Sequence, residues 1–248
     1  MILEQRQRDI LAAVVRSYTE TGLPVASAKL LRMRQFSVSG ATLRADMARL
    51  EEKGLLYQPH TSAGRIPTDA GFRYFVEHIM PDRPLSRGEQ QRLQRELLKL
   101  KAQNTRLMRT TAKLLSTVGH CAAVMVNAKT GEVSEFGLRN LLAQVDKDNV
   151  DDLCKIAEAL DYIDERCETL LREVPRGDAQ IFIGKENPLT EAKNYSMVVS
   201  RYEYDGQEGI VALIGPKNMK YDKNKSLLEY VKRFLGGLSA VVTVVIMY

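Results

Sequence analysis

Arg44 lies on the outward face of a helical stretch with Gly40, Thr42, Ala45 and Arg49, while Leu43, Met47 and Leu50 at i, i+4 and i+7 form the inward stripe. A guanidinium so placed can reach guanine O6 and N7 bidentately, or a phosphate; Thr42 suits a thymine methyl or a phosphate. Ser39 is positioned to cap this helix and Gly54 to end it. Farther on, His60, Thr61, Ser62 and Arg65 sit in a small polar loop beside Gly64, which permits close approach of backbone to a phosphate strand. Arg49 and Lys29 are further candidates for phosphate contact. From Val25 to Arg73, eight basic residues against four acidic ones leave +4 on a short segment. That balance suits a polyanion; the alternative is the solvated face of a protein-binding module.

Other chemistries find less support. There is no phosphate-cradling Gly-rich loop, nucleophile elbow or HExxH motif, so neither an enzyme nor a cofactor is expected. His120 beside Cys121 has the residue types of a dyad, but neighbours on a strand point to opposite faces, and Cys121 is expected to be buried. Cys154 and Cys167 are thirteen residues apart, too far for a joint metal site, and no metal is expected. Three Cys without CxxC spacing make neither a disulfide scaffold nor a zinc cluster, and unpaired thiols suit a reducing cytoplasm. Asp151, Asp152, Asp161, Asp164 and Glu165 are expected on a solvated helical face.

The chain that must position these groups has 248 residues, 44% hydrophobic and 27% charged, with net charge +5, which is ordinary globular usage. Its N-terminus lacks an apolar signal core. Its most apolar run, Leu238 to Tyr248, is half the roughly 20 residues of a membrane helix, so secretion and membrane spanning are disfavoured.

Ile10, Leu11, Val14, Val15 and Tyr18 predict a first helix, closed by Gly22 and Pro24; Val25 to Met33 predicts a second. Phe36-Ser37-Val38 is a turn before the third helix. Leu55-Leu56-Tyr57 and Ile66-Pro67-Thr68 predict two extended pieces around the polar loop, and Thr68 can cap a helix through Phe72, Tyr74, Phe75 and Val76. Helix, helix, turn, helix, wing is the order of a winged helix-turn-helix, assigned to residues 1–80.

Residues 81–118 follow, with a long helical stretch from Ser86 to Val118. Leu93, Leu97, Leu100, Asn104, Leu107, Thr111, Leu114 and Val118 alternate at spacings of four and three. Leu at d with one Asn at a favours a two-stranded coil and hence a homodimer; the alternative is a helix lying on its own domain's sheet. Residues 119–238 have an α/β pattern: a buried strand at Ala122 to Val126, a turn at Lys129-Thr130-Gly131, and a helix over Val150 to Glu173 with Leu153, Ile156, Ala157, Leu160 and Ile163 on one face. Then come a strand at Gln180 to Ile183, a hairpin about Asp205-Gly206, and a helix from Asp222 to Leu235. The apolar tail, 239–248, is expected as an inter-subunit strand, a buried edge strand or a frayed end. The fold class is therefore α+β.

Several blocks resemble one family. Pro24-Val25-Ala26-Ser27, Ala41-Thr42-Leu43-Arg44, Met47-Ala48-Arg49-Leu50-Glu51 and Gln58-Pro59-His60-Thr61-Ser62-Ala63-Gly64-Arg65-Ile66-Pro67-Thr68-Asp69 closely resemble HrcA, the bacterial heat-inducible transcription repressor family. Asn140-Leu141-Leu142, Ile183-Gly184-Lys185-Glu186-Asn187-Pro188 and Leu213-Ile214-Gly215-Pro216-Lys217-Asn218-Met219-Lys220-Tyr221 resemble its C-terminal motifs, in the same order. The resemblance implies a homodimer that represses chaperone operons at an inverted-repeat operator, CIRCE, in double-stranded DNA. It also implies a GAF-like C-terminal domain and activity maintained by the GroE chaperonin. Two departures stand out. Ala45 replaces the Asn usual after the recognition-helix Arg, and the dimerising insertion expected between Val126 and Asn140 is absent. The Leu93 to Val118 heptad is then the candidate dimer surface. The competing function is a ligand sensor, with a cavity near Tyr195, Tyr202 and Tyr221.

Overall fold

Among the described residues, three helices begin at a hydroxyl that answers otherwise unpaired backbone N–H groups. The computed structural model describes all residues except 1, 34, 62, 103–106, 143–153, 156, 159, 161–162, 164 and 246–248, and omits the side chains of 99–102, 142 and 238–245. The expectations placed on Arg34, Ser62, Asn104, Asp151, Asp152, Leu153, Ile156, Asp161 and Asp164, and on the Leu100 side chain, lie outside the described residues.

The chain divides into two compact units. The first takes in residues 1–81 with 217–219. It contains α1 (Gln5–Thr21), α2 (Ser27–Arg32), α3 (Gly40–Glu52), the short strands β1 (Leu56–Tyr57) and β2 (Ile66–Pro67), and α4 (Asp69–His78). Gly22 ends α1 in the left-handed region and donates to Tyr18 O, the C′ role expected of it. Ser39 Oγ accepts from Thr42 N at the head of α3, and Thr68 Oγ1 from Gly71 N at the head of α4. Ile10, Leu11, Val14, Leu30, Leu43, Met47, Leu50 and Phe72 are buried together with Leu55 and the β1 residue Leu56. The helices and wing expected over residues 1–80 are thus present.

The second unit takes in residues 82–216 and 220–248. Its sheet has β3 (Ala122–Asn127), β4 (Val133–Phe136), β5 (Gln180–Ile183), β6 (Tyr195–Tyr204) and β7 (Gln207–Pro216) in the order β4-β3-β7-β6-β5. All neighbouring pairs are antiparallel. Asp205 and Gly206 both have positive φ, as the two-residue hairpin between β6 and β7 requires. One sheet face, including Val124, Val126, Met197, Val199, Ile210 and Ala212, packs against Leu141 of α7 (Leu138–Leu142), Leu170 of α8 (Cys167–Glu173), Leu160 and Ile163. The opposite face lies under α6 (Leu107–Gly119) and α9 (Tyr221–Val245). The α+β class is borne out; β4, a four-residue strand, is an addition to the expected elements.

The resemblance blocks of this unit serve as stitching. Asn140 Nδ2 donates to Ser116 O and Oγ and to Cys121 O, fixing α7 to the end of α6. Gly137, with φ of 88°, leaves room there that no Cβ could share with Ser116 Oγ. Asn187 accepts from Leu189 N and donates to Ala192 O, closing a local turn.

The helix expected over Val150 to Glu173 is interrupted by a turn at Ile163, Glu165 and Arg166 before α8 begins, and two larger expectations are corrected. The stretch from Ser86 to Val118 is two helices, α5 (Arg87–Ala102) and α6, which pack on each other. Ser86 and Glu89 form a reciprocal capping box at the start of α5, whose bonds hold the Glu89 carboxyl below its ordinary range. A cavity of about 630 Å³ is lined both by Leu85, Glu89 and Leu93 and by Leu114, Thr117 and Val118, so the head of α5 lies beside the tail of α6. The heptad seam therefore folds back on itself. Leu93 and Leu97 are buried by their own chain, and on α6 the buried residues are Thr111, Ala112, Leu115 and Ser116, with Leu107 and Leu114 only half-buried. The second correction is the tail, which continues α9 as helix through Val245 and is not a strand. Leu97→Ala is accordingly expected to cost about 2–5 kcal/mol in denaturant unfolding, as for any well-packed Leu, and to leave the mass from light scattering unchanged. A fall in mass with little loss of stability would restore the inter-chain seam.

Candidate nucleic-acid interface

The outward face of α3 carries the residues expected there, with their hydrogen bonding now specified. Leu43, Met47 and Leu50 point inward, and Arg44, Ala45 and Arg49 are exposed. None of the described hydrogen bonds or ion pairs engages Arg44, whose guanidinium lies over Gly40. A Cβ on Gly40 would also crowd Leu31 at 3.0 Å. Ser39 Oγ and Thr42 Oγ1 lie 3.0 Å apart and share a hydrogen, so both hydroxyls belong first to the helix cap. Lys29 is half-buried on α2, with no side-chain partner among the described residues.

The wing is held by a carboxylate that the sequence pattern does not single out. Glu51, near the end of α3, accepts from Gln58 N through Oε1 at 3.0 Å and from Arg65 Nε through Oε2 at 2.9 Å. One side chain thereby grips both legs of the wing. Gln58 Nε2 donates to the carbonyls of Thr61 and Ala63, rounding the loop from within. His60 and Thr61 stand exposed at the tip.

Arg65 thus serves as a wing support, with its side chain only 15% exposed. At Gly64 the bare backbone meets protein, since a Cβ there would sit 2.4 Å from Val25 C and 2.6 Å from Ala26 N. That approach lets Val25 and Arg65 exchange both backbone hydrogen bonds, at 2.9 and 3.0 Å.

Asp46 is a second carboxylate that the sequence pattern does not single out. It is fully buried on the inward side of α3, where its carboxylate accepts from Arg6 Nε at 2.6 Å and Arg6 Nη2 at 3.4 Å, and from Arg49 Nη1 at 3.4 Å. The charge-assisted bond to Asp46 raises the pKa of Arg6 above its ordinary value, so the guanidinium stays charged. Spacing along the chain could not have paired Arg6 with Asp46, 40 residues away.

In the second unit His120 and Cys121 are not on a strand. His120 has φ of 54° and precedes β3, whose first residue is Ala122. Cys121 is buried, donates to Gly119 O and accepts from Asn224 Nδ2; burial pushes its thiol up to about 12, away from thiolate chemistry. Tyr195, Tyr202 and Tyr221 are core residues, with Tyr221 Oη bonded to Ser196 Oγ and Tyr202 Oη donating to Val126 O. Among the described residues no cluster of three His, Cys, Asp or Glu could hold a metal, and no helix is long and apolar enough to cross a membrane.

Gly64→Ala is expected to cost about 1–3 kcal/mol in thermal or denaturant unfolding, the usual range for overpacking, because backbone must move. Near-wild-type stability would show that the Val25 contact is loose. Of the cysteines, exposed Cys154 is expected to react promptly with a thiol reagent at pH 8, and buried Cys121 and Cys167 only on unfolding. The raised Cys121 pKa stabilises the fold fully below the unfolded thiol's value near 9 and loses that contribution as pH rises toward 12. Cys121→Ser should accordingly flatten stability over that window, as followed by alkaline unfolding curves.

Residues 82–224 match the family described as HrcA protein C terminal domain. A heat-inducible transcription repressor HrcA of Moorella thermoacetica is 40% identical over 145 residues, 58% of this chain and 42% of that one. The matched stretch thus spans less than half of the Moorella repressor. A heat-inducible transcription repressor HrcA of Herpetosiphon aurantiacus is 25% identical over 338 aligned positions, covering 95% of each chain. Since this chain has 248 residues, at least 90 of those positions belong to the relative alone. A crystal structure described only as that of a hypothetical protein superposes with a TM-score of 0.75 over 96% of this chain and 99% of its own, at 20% identity, and so supports the fold alone. The family is one of transcription repressors and not of enzymes. With more than half of its length inside the matched domain, the chain belongs to the HrcA family.

Proposed function

We propose that the chain represses transcription of heat-shock genes by binding an inverted-repeat, CIRCE-type operator in double-stranded DNA, as a cytoplasmic homodimer whose activity depends on chaperonin availability. The observation that carries the DNA contact is the pairing state of Arg44: an exposed guanidinium in the N-terminal half of a capped helix, engaged by no described partner, beside a wing whose tip offers His60 and Thr61. α3 enters the major groove, Arg44 reads a base edge, and Thr42 and Gly40 allow the helix head to approach. Lys29 and Arg49 meet phosphates. Ser39 acts through the cap, and Arg65 through the set of the wing. The sizes of the Herpetosiphon alignment and of this chain support a form without the family's dimerising insertion. Two copies would then meet through a surface other than the Leu93 to Leu114 seam, which this chain buries in part itself.

The test is titration of a fluorescent inverted-repeat duplex and a scrambled duplex at two salt concentrations, with mass from light scattering. The expected result is a dimer that prefers the inverted repeat and loses affinity steeply with salt. Arg44→Ala should lose about 1–3 kcal/mol of discrimination while its affinity for scrambled DNA changes far less. An unchanged ratio between the duplexes in that variant would sink the assignment of Arg44.

A further inference from the structure

On a helix of 3.6 residues per turn, residues seven apart share a column. Arg44 and Glu51 form one flank of the outward face of α3, and Thr42 and Arg49 the other, about 160° around the axis. Glu51 grips the wing, so the Arg44 flank faces the wing and the Arg49 flank faces away from it. On that far flank two guanidiniums share one carboxylate. Asp46 is 1% exposed at its side chain, whereas Arg6 and Arg49 are 41% and 57% exposed.

The arrangement keeps one net positive charge and unspent donors at the surface. Arg6 commits Nε and Nη2 to Asp46 and leaves Nη1 free, and Arg49 makes a single contact of 3.4 Å. Holding two long side chains by a buried anion removes rotamer freedom that an incoming ligand would otherwise have to freeze. A major groove about 12 Å wide is walled by phosphates on both sides, so a helix lying in it presents both flanks to phosphate. The wing serves one wall. We propose that Arg6, held beside Arg49 by the buried Asp46 carboxylate, contacts a duplex phosphate on the other wall, with Asp46 as the positioning residue.

This rests on the DNA-binding function proposed above, and the experiment separates the two. The full-length chain is titrated with inverted-repeat and scrambled duplexes from 50 to 200 mM salt, with circular dichroism to confirm folding. Arg6→Gln should weaken both duplexes by the same factor and reduce the slope of log affinity against log salt by about 0.9, the value for one phosphate. The wild-type advantage should therefore shrink about 3.5-fold between 50 and 200 mM. Because Arg6→Gln leaves a buried carboxylate short of a partner, the same difference is also sought between Asp46→Asn and the double variant Arg6→Gln/Asp46→Asn, neither of which buries that charge. Equal slopes within both pairs, even with a lowered Tm, would make Arg6 purely a fastening between α1 and α3 and overturn the inference alone. Wild-type protein with no salt-dependent duplex binding would overturn the DNA-binding function and this contact together.

Discussion

At residue 64 the wing passes so close to the segment before α2 that only hydrogen fits between the two backbones. The paired hydrogen bonds of Val25 and Arg65 need that closeness, and they add a third extended segment to the two-residue strands β1 and β2. Strands of two residues have little stability of their own. With Val25 beside them, the wing is tied to the chain entering α2 as well as to the chain leaving α3. The helix-turn-helix and the wing thus become one object. A similar constraint recurs at Gly71, where α4 crosses Leu55 O with no space for a Cβ.

Within that object the arginines divide by what holds them. Arg65 is taken up by Glu51, and Arg6 and Arg49 share Asp46, while Arg44 has no described partner. A simple count of +4 between Val25 and Arg73 treats these charges alike. The structure instead spends acidic residues on fixing cations in place, which lowers the net field but sets direction. The buried Asp46 carboxylate is tolerated because guanidiniums meet it, Arg6 through two of its nitrogens.

What the sequence discloses is mostly what is local. Ser39 and Thr68 as caps, Gly22 as a helix stop and Asp205-Gly206 as a turn each act within a few residues, so the identity of the residue carries the structure. The third helix and the wing were legible for that reason. Arg6 with Asp46 and Glu51 with Arg65 were not, because ion pairs 40 and 14 residues apart leave no periodic trace. The heptad misled for a different reason. A three-four repeat describes any helix with one apolar stripe, and α5 and α6 satisfy that stripe against each other and the sheet. The tail misled because a short apolar run fits strand or helix equally.

The strand order in the second unit has a consequence for synthesis. β3 is buried along its whole length, and on one side its hydrogen-bonding partner is β7, which begins some 80 residues later in the chain. Residues 1–81, by contrast, supply nearly all of the first unit. On a ribosome adding about 5–20 residues per second, the winged helix has its material early, whereas β3 emerges with only the four-residue β4 to pair with. For several seconds an apolar strand with an open edge awaits β7, and such edges are where nascent proteins aggregate or are captured. Nearly all of the first unit is therefore made before the sheet of the second can close.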